Sequence, residues 1–342
     1  MKMLRKTALY SSIILLLFAT TSCFKEDPRI AAHQPGAVAS TVIPMTKDYH
    51  EQVYFNLNQS KIVSQNGKSE WDLGFQSTTD GWKVILNTSV TMHVAHTGST
   101  DINVPVQTST LNWKFDLSDG SVAGNAIGTW YTLSGTPVSK KEVLVIDRGM
   151  DENYAPRGYK KLIIDTPDAQ GNYRIIIAEL DGSNVQQLTI PKQIGINFVR
   201  VSLNNAGSIL QAEPPTLGWD LLFTQYTTYI PGPGGLPYPY LVTGVLQNPA
   251  GCIAAIDTVH TFDQVTFQTA SAMPMRTAND LIGYDWKMLS GDPSLGPVTY
   301  LPRPKRVFII KDNKGYYYKL RFTGFYNNLG VKGYPTFDYQ QL

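Results

Sequence analysis

Cysteine is nearly absent from this chain. Only Cys23 and Cys252 occur in 342 residues, too few for the disulfide framework of a small exported domain. Charge is scarce too: Asp, Glu, Lys and Arg make up 16%, against about 25% in an average soluble protein. With hydrophobic residues at 42%, that composition excludes intrinsic disorder. Sustained Ala/Glu/Lys/Leu heptads are missing, which excludes a coiled coil. Nowhere do about 18 consecutive apolar residues occur, so no segment reads as a membrane-spanning helix. The formal charge of +2 arises from Lys2, Arg5 and Lys6; without residues 1–22 the chain has 26 basic residues against 27 acidic. Such a balance provides no electrostatic footprint for nucleic acid. There is no His-Glu-x-x-His, Cys-x-x-Cys, Gly-x-Ser-x-Gly or phosphate-binding loop, and the chain does not read as an enzyme.

Aromatic and turn-forming residues are abundant: 19 Tyr, 13 Phe and 6 Trp, with 28 Gly and 21 Pro. That favours an all-β protein. Short β-branched or aromatic runs have strand length at Val53 to Leu57, Trp82 to Leu86, Val143 to Ile146, Lys161 to Ile164 and Tyr173 to Ala178. Asn66-Gly67, Asp80-Gly81, Asp119-Gly120 and Asp181-Gly182 punctuate them as turns. No amphipathic helix longer than two turns is visible.

The N-terminus carries an address. A basic segment, Met1 to Lys6, precedes the apolar run Leu9 to Ala19, the pattern of a signal peptide. Thr20-Thr21-Ser22 supplies small residues before Cys23, resembling the bacterial lipoprotein signal, although Thr20 stands where Leu is usual. We therefore expect residues 1–22 to be a signal peptide. Cys23 is the expected lipidation site, and residues 23–45, with Pro28, Pro35, Gly36 and Pro44, a flexible tether. Phe24-Lys25-Glu26-Asp27 resembles the signal that sends outer-membrane lipoproteins to the cell surface. Several acyl chains on one Cys would anchor the protein stably to the membrane.

The body repeats itself. Trp71-Asp72-Leu73-Gly74-Phe75 recurs as Trp219-Asp220-Leu221-Leu222-Phe223, 148 residues on. Leu162-Ile163-Ile164-Asp165 recurs as Phe308-Ile309-Ile310-Lys311, 146 residues on. The spacing predicts two related β-sandwich or meander-like halves, 46–195 and 196–342. Trp and Phe four apart on a strand share a face with the Leu between them, so the motif is a packing element first.

The soft metal ligands form two groups. Met92-His93-Val94-Ala95-His96 reads as a strand with Met92 and Val94 on one face. Met273-Pro274-Met275, with His260 upstream and Met288 downstream, reads as a loop, where exposed Met favours binding of something apolar or soft. Asp116-Leu117-Ser118-Asp119-Gly120 faintly suggests a calcium loop but lacks the twelfth-position acid and reads as a turn. Pro231-Gly232-Pro233-Gly234-Gly235 is a loop.

The last forty residues are distinctive: Arg306-Val307-Phe308-Ile309-Ile310, then Gly315 to Asn327, then Gly330-Val331-Lys332-Gly333-Tyr334-Pro335-Thr336-Phe337. With Gly218 to Phe223 upstream, they resemble the C-terminal signature of the HmuY family. Weaker similarity at Trp71 to Phe75, Ile85-Leu86-Asn87 and Asp147-Arg148-Gly149 suggests a longer, two-part form. The resemblance implies an all-β, lipid-anchored outer-membrane surface protein for iron acquisition. It would bind haem in an apolar cleft by axial coordination and pass it to a TonB-dependent outer-membrane receptor. In the family's best-known member two histidines between the Trp-Asp strand and the C-terminal hairpin hold the iron, and related members use methionines. Here only His260 lies in that interval. The implied ligands are therefore His260, Met273, Met275 and Met288, with Met92, His93 and His96 as alternatives. A structural or glycan-binding surface lipoprotein sharing only the fold is the rival expectation, since exposed Tyr and Trp also stack on sugars.

Overall fold

The structure is a computed structural model describing residues 34–291 and 295–342; Cys23 and the signal segment lie outside them. The first eleven strands are β1 (Ala39–Val42), β2 (Glu51–Asn56), β3 (Lys61–Gly67), β4 (Leu73–Gln76), β5 (Val84–Leu86), β6 (His93–His96), β7 (Tyr131–Ser134), β8 (Thr136–Ser139), β9 (Leu144–Asp147), β10 (Tyr159–Asp165) and β11 (Tyr173–Ala178). The next six are β12 (Gln186–Ile190), β13 (Phe198–Ser202), β14 (Ser208–Leu210), β15 (Leu221–Pro231), β16 (Pro237–Gln247) and β17 (Ile253–Asp257). After a short helix, α1 (Phe267–Ser271), come β18 (Lys287–Ser290), β19 (Thr299–Pro302), β20 (Val307–Lys311), β21 (Tyr317–Tyr326) and β22 (Lys332–Gln341).

All named strand pairs are antiparallel, and their order reveals the repeat. One five-stranded sheet runs β12-β11-β10-β9-β6 and the other β1-β22-β21-β20-β17. The four-stranded sheets run β14-β13-β4-β5 and β3-β2-β15-β16, and the two-stranded hairpins are β7-β8 and β18-β19. Each of the first eleven strands thus has a counterpart eleven strands later. The Trp-Asp-Leu motif begins equivalent strands, β4 and β15. The pairing of residues 162–165 with 308–311 does not: β10 is the middle strand of its sheet and β20 the fourth. The β15-β16 hairpin extends to Pro231 and Pro237, and this longer arm shifts everything after it.

Packing divides the chain differently from the sequence spacing. One core draws on residues from Leu73 to Leu203; the other joins Ile43 to Leu57 with Leu221 to Tyr339. The boundary expected at 195/196 falls inside the first core, because β13 and β14 pair with β4 rather than with the strands that follow them. β1 to β3 likewise complete the second half. The tether also ends earlier than expected. From Ala39 the chain pairs with β22, and Ile43 and Met45 are wholly buried.

The alternation of side chains explains the layers. On β10, Leu162 and Ile164 face the first core, while Ile163 faces outward into a smaller cluster with Ile102 and Val143. On β20, Phe308 and Ile310 face the second core, whereas Val307 and Ile309 support an outer cluster.

The Asp of each Trp-Asp motif fastens its strand to the other repeat. Asp72 accepts from the Leu203 amide at 2.6 Å, and Asp220 from the Leu57 amide at 2.7 Å. Asn87 donates to the Lys68 and Trp71 carbonyls, and its counterpart Asn248 to those of Thr216 and Trp219. Buried backbone groups are thereby satisfied identically in both halves. The surroundings differ, however. Arg148 and Arg157 bracket Asp72 at 3.0 and 2.8 Å, whereas Asp220 faces the Cys252 thiol at 3.9 Å.

Candidate functional site

After β17 the chain leaves the sheet and packs on its outer side, then forms the separate β18-β19 hairpin before rejoining the sheet at β20. A lysine projecting from β21 holds this excursion: Lys319 donates to the Val265 carbonyl at 3.0 Å. Lys161, on the equivalent β10, binds the carbonyls of Ile102 and Val104 in the same way. Phe262 lies against the Lys319 ammonium and the Arg321 guanidinium at 4.7 and 4.6 Å from its ring centre. It packs with Ala255, Val265, Ala270, Val307, Ile309 and Leu342, and Met273 and Met275 rest half-buried against this cluster. Arg276 exchanges both backbone hydrogen bonds with Ala254 of β17 at 2.8 and 3.0 Å. That pins the methionine loop beside the strand that leads into His260.

His260 is held at one ring nitrogen. Its Nδ1 lies 2.8 Å from the Asp257 carboxylate, which also accepts from the amides of Val259 and His260. Burial pushes the Asp257 carboxyl up, but the hydrogen bonds from His260 and Val259 outweigh it and hold the group below its ordinary value. An anionic Asp fixes the proton on Nδ1 and directs the Nε2 lone pair away, and the His260 side chain is 43% exposed.

The other predicted donors are placed elsewhere. Met288 sits on the β18-β19 hairpin opposite Leu301 and is 39% exposed, apart from the Met273–Met275 cluster. Met92 is wholly buried in the first core and is corrected from alternative ligand to packing residue. His93 lies edge-on to Phe115, with ring centres 5.8 Å apart. His96 has both nitrogens facing protein acceptors, Nδ1 the Glu142 carboxylate and Nε2 the Ala126 carbonyl, each at 3.0 Å, so neither is directed at open space. Among the described residues no three His, Cys, Asp or Glu side chains gather to hold a metal ion. Met92→Ala should therefore cost about 2–5 kcal/mol of stability while leaving any haem spectrum unchanged; denaturant unfolding and a haemin titration on the same preparation check both.

A cleft of about 580 Å³ opens between the two halves, within the range of small-ligand sites. Its walls hold no His, Met or Cys, so the predicted donors and this cleft are separate features. Sequence reasoning missed it, reading Asp80-Gly81 and Asp116 to Gly120 only as turns. Both line it, with Trp82, Lys83 and Tyr131. Asp116 is structural: it accepts from the amides of Leu86 and Ala126 and from Asn125, and burial pushes its carboxyl up to about 6.

The class defined so far is an all-β protein of two matched halves, with an imidazole and two thioethers on a loop outside one sheet. Residues 48–339 match the model of one family, described as HmuY protein, and the chain belongs to the HmuY family. Apo PinO from Porphyromonas gingivitis is similar at 12% identity and a TM-score of 0.31, covering 90% of this chain and 98% of that one. The apo HmuY analog of Tannerella forsythia is similar at 12% identity and a TM-score of 0.25, covering 91% and 98%. No curated protein matches.

Proposed function

We propose that this protein is a haem carrier anchored by lipid on Cys23 to the outer membrane and exposed at the cell surface. It holds haem iron through His260 with Met273 or Met275 and passes the haem to a TonB-dependent receptor; Met288 serves only if its hairpin swings toward the loop. Membership of the HmuY family supports the ligand. The single observation supporting the site is the Asp257–His260 pair at the end of β17, the strand to which Arg276 fastens the loop carrying two half-buried thioethers: the segment supplies a directed imidazole and soft donors on an apolar bed. Phe267 and Tyr317, edge-to-face at 5.5 Å, offer flat apolar surface nearby for a porphyrin. Nothing here needs a nucleophile or a general base, in keeping with a carrier rather than an enzyme. Titrating haemin into the detergent-solubilised chain should produce a shifted, sharpened Soret band. No spectral change at tens of micromolar haemin would remove the proposal.

A further inference from the structure

The cleft between the two halves is not accounted for by haem. Iron would find no imidazole or thioether in it, and propionates would find no free cation. Its Lys83 ammonium donates to the carbonyl of Gly120 at 2.7 Å and lies 3.5 Å from that of Ser121. The Asp116 carboxylate is likewise saturated by its three donors. What remains on the walls is the Asp80 carboxylate with amide, hydroxyl and backbone carbonyl groups, set among the indole of Trp82, the phenol ring of Tyr131 and apolar side chains such as Leu117, Val122 and Phe198. A purely apolar ligand would leave those polar groups unpaired, and a strongly anionic one would meet the Asp80 carboxylate and an ammonium already engaged by carbonyls. The matching chemistry is uncharged, rich in hydroxyls and faced with C–H groups.

The site is also held in shape before any ligand arrives. Lys192 donates to the carbonyls of Thr78, Thr79 and Gly81 at 2.7–3.0 Å, and its ammonium lies 3.6 Å from the centre of the Trp82 ring. Trp82 is further braced by Tyr173, at 4.9 Å between ring centres. Across the cleft, the Asn279 amide donates to the Asp119 carbonyl at 2.9 Å, fastening one half to the other. Gly120 has φ +74°, and a Cβ there would lie 2.1 Å from the Asn279 side chain, so this closure needs glycine. Rigid walls lower the ordering cost of binding.

We propose that this cleft is a saccharide-binding site, taking a short neutral oligosaccharide independently of haem. Calorimetric titration of the full chain in detergent with a panel of neutral plant, host and bacterial oligosaccharides tests it. Binding by at least one is expected. Tyr131→Ala, which removes a wall, and Ala250→Trp, which fills the cleft from the other half, should each weaken it at least tenfold with cooperative unfolding retained and the haemin spectrum unchanged. Failure of the whole panel overturns the proposal, as does saccharide binding indifferent to both variants. Loss of the haemin response in the same variants also overturns it, since the cleft would then be the haem site. Saccharide binding that survives when haemin fails to bind leaves this site standing and removes only the carrier reading.

Discussion

Asp72→Asn is expected to lower stability by about 3–5 kcal/mol, the usual loss when one partner is taken from a buried ion pair. The same change at Asp220, its counterpart in the other half, is not. Asp72 is fully buried, and both arginines that bracket it are only 8% exposed, so an amide there leaves two desolvated guanidinium groups without an anion. Asp220 has no such partner. Burial raises its carboxyl to about 6; the hydrogen bond from the Leu57 amide opposes this, and Asp312 adds to it. A carboxyl raised in the folded state stabilises nothing by ionising. As pH climbs from its ordinary value of 3.8 to about 6, the unfolded chain releases this proton while the folded one retains it, so stability falls across that window and stays lower above it. For a shift of this size the loss is on the order of 2–3 kcal/mol. An Asn keeps an acceptor for Leu57 and removes the titration. Asp220→Asn should therefore be neutral or stabilising at pH 7 and should flatten the decline between pH 4 and 6. The slope persists in part, because Asp116 shifts in the same direction. Urea unfolding of both variants across pH 4–8 decides it; equal losses, or an unaltered slope in Asp220→Asn, would refute the account.

The contrast between the two aspartates shows what a repeat in sequence can reveal. Trp71 to Phe75 and Trp219 to Phe223 were recognisable because packing residues of a strand, their Asp tie and their order are local properties. The second correspondence, 162–165 with 308–311, looked as good in letters and joined non-equivalent strands. Alternating apolar runs beside an Asp-x-x-Gly turn arise in any antiparallel meander. Which strands lie together was illegible for a different reason. Pairing β13 with β4 and β2 with β15 is a long-range choice governed by which apolar faces meet, and nothing in the local pattern of either strand records it. The early end of the tether has the same origin: Ala39 to Val42 is half exposed and carries too weak an alternation to announce an edge strand.

Legibility at the candidate site followed exposure. Met273-Pro274-Met275 stood out because thioethers flanking a proline have no place in a strand, and the structure does put them on a loop at a cluster's margin. His260 could be noticed, but its qualification as a ligand rests on Asp257, three residues away on the end of β17, and a turn geometry that brings the carboxylate to Nδ1. His96 has an equally good carboxylate partner and yet loses its second nitrogen to the Ala126 carbonyl, a contact across 30 residues. The cleft was hidden because its walls come from segments as distant as Thr78 and Asn279, each ordinary by itself.

Replacing His260, Met273 and Met275 together with Ala is expected to abolish the haemin-induced Soret shift, the largest functional effect we foresee. The three removals act on the segment that follows β17. His260 supplies a lone pair whose direction Asp257 sets, and the thioethers rest on Val307 and Ile309 of the sheet and on Phe262, all of which remain in place. Because both methionines are only half-buried, the cost to folding should fall well short of the 2–5 kcal/mol of a core Met→Ala change. A loss of spectrum would then report lost ligation. Asp257→Asn separates the roles further: a neutral amide no longer holds the ring in place by accepting at Nδ1 as a carboxylate does, and outer-shell changes of this kind cost about 10–100-fold in metal affinity. It should weaken haemin binding without abolishing it, whereas His96→Ala should leave it untouched. A full Soret shift in the triple variant would show that the iron is held elsewhere, and a shift lost on Met288→Ala instead would place it at the β18-β19 hairpin.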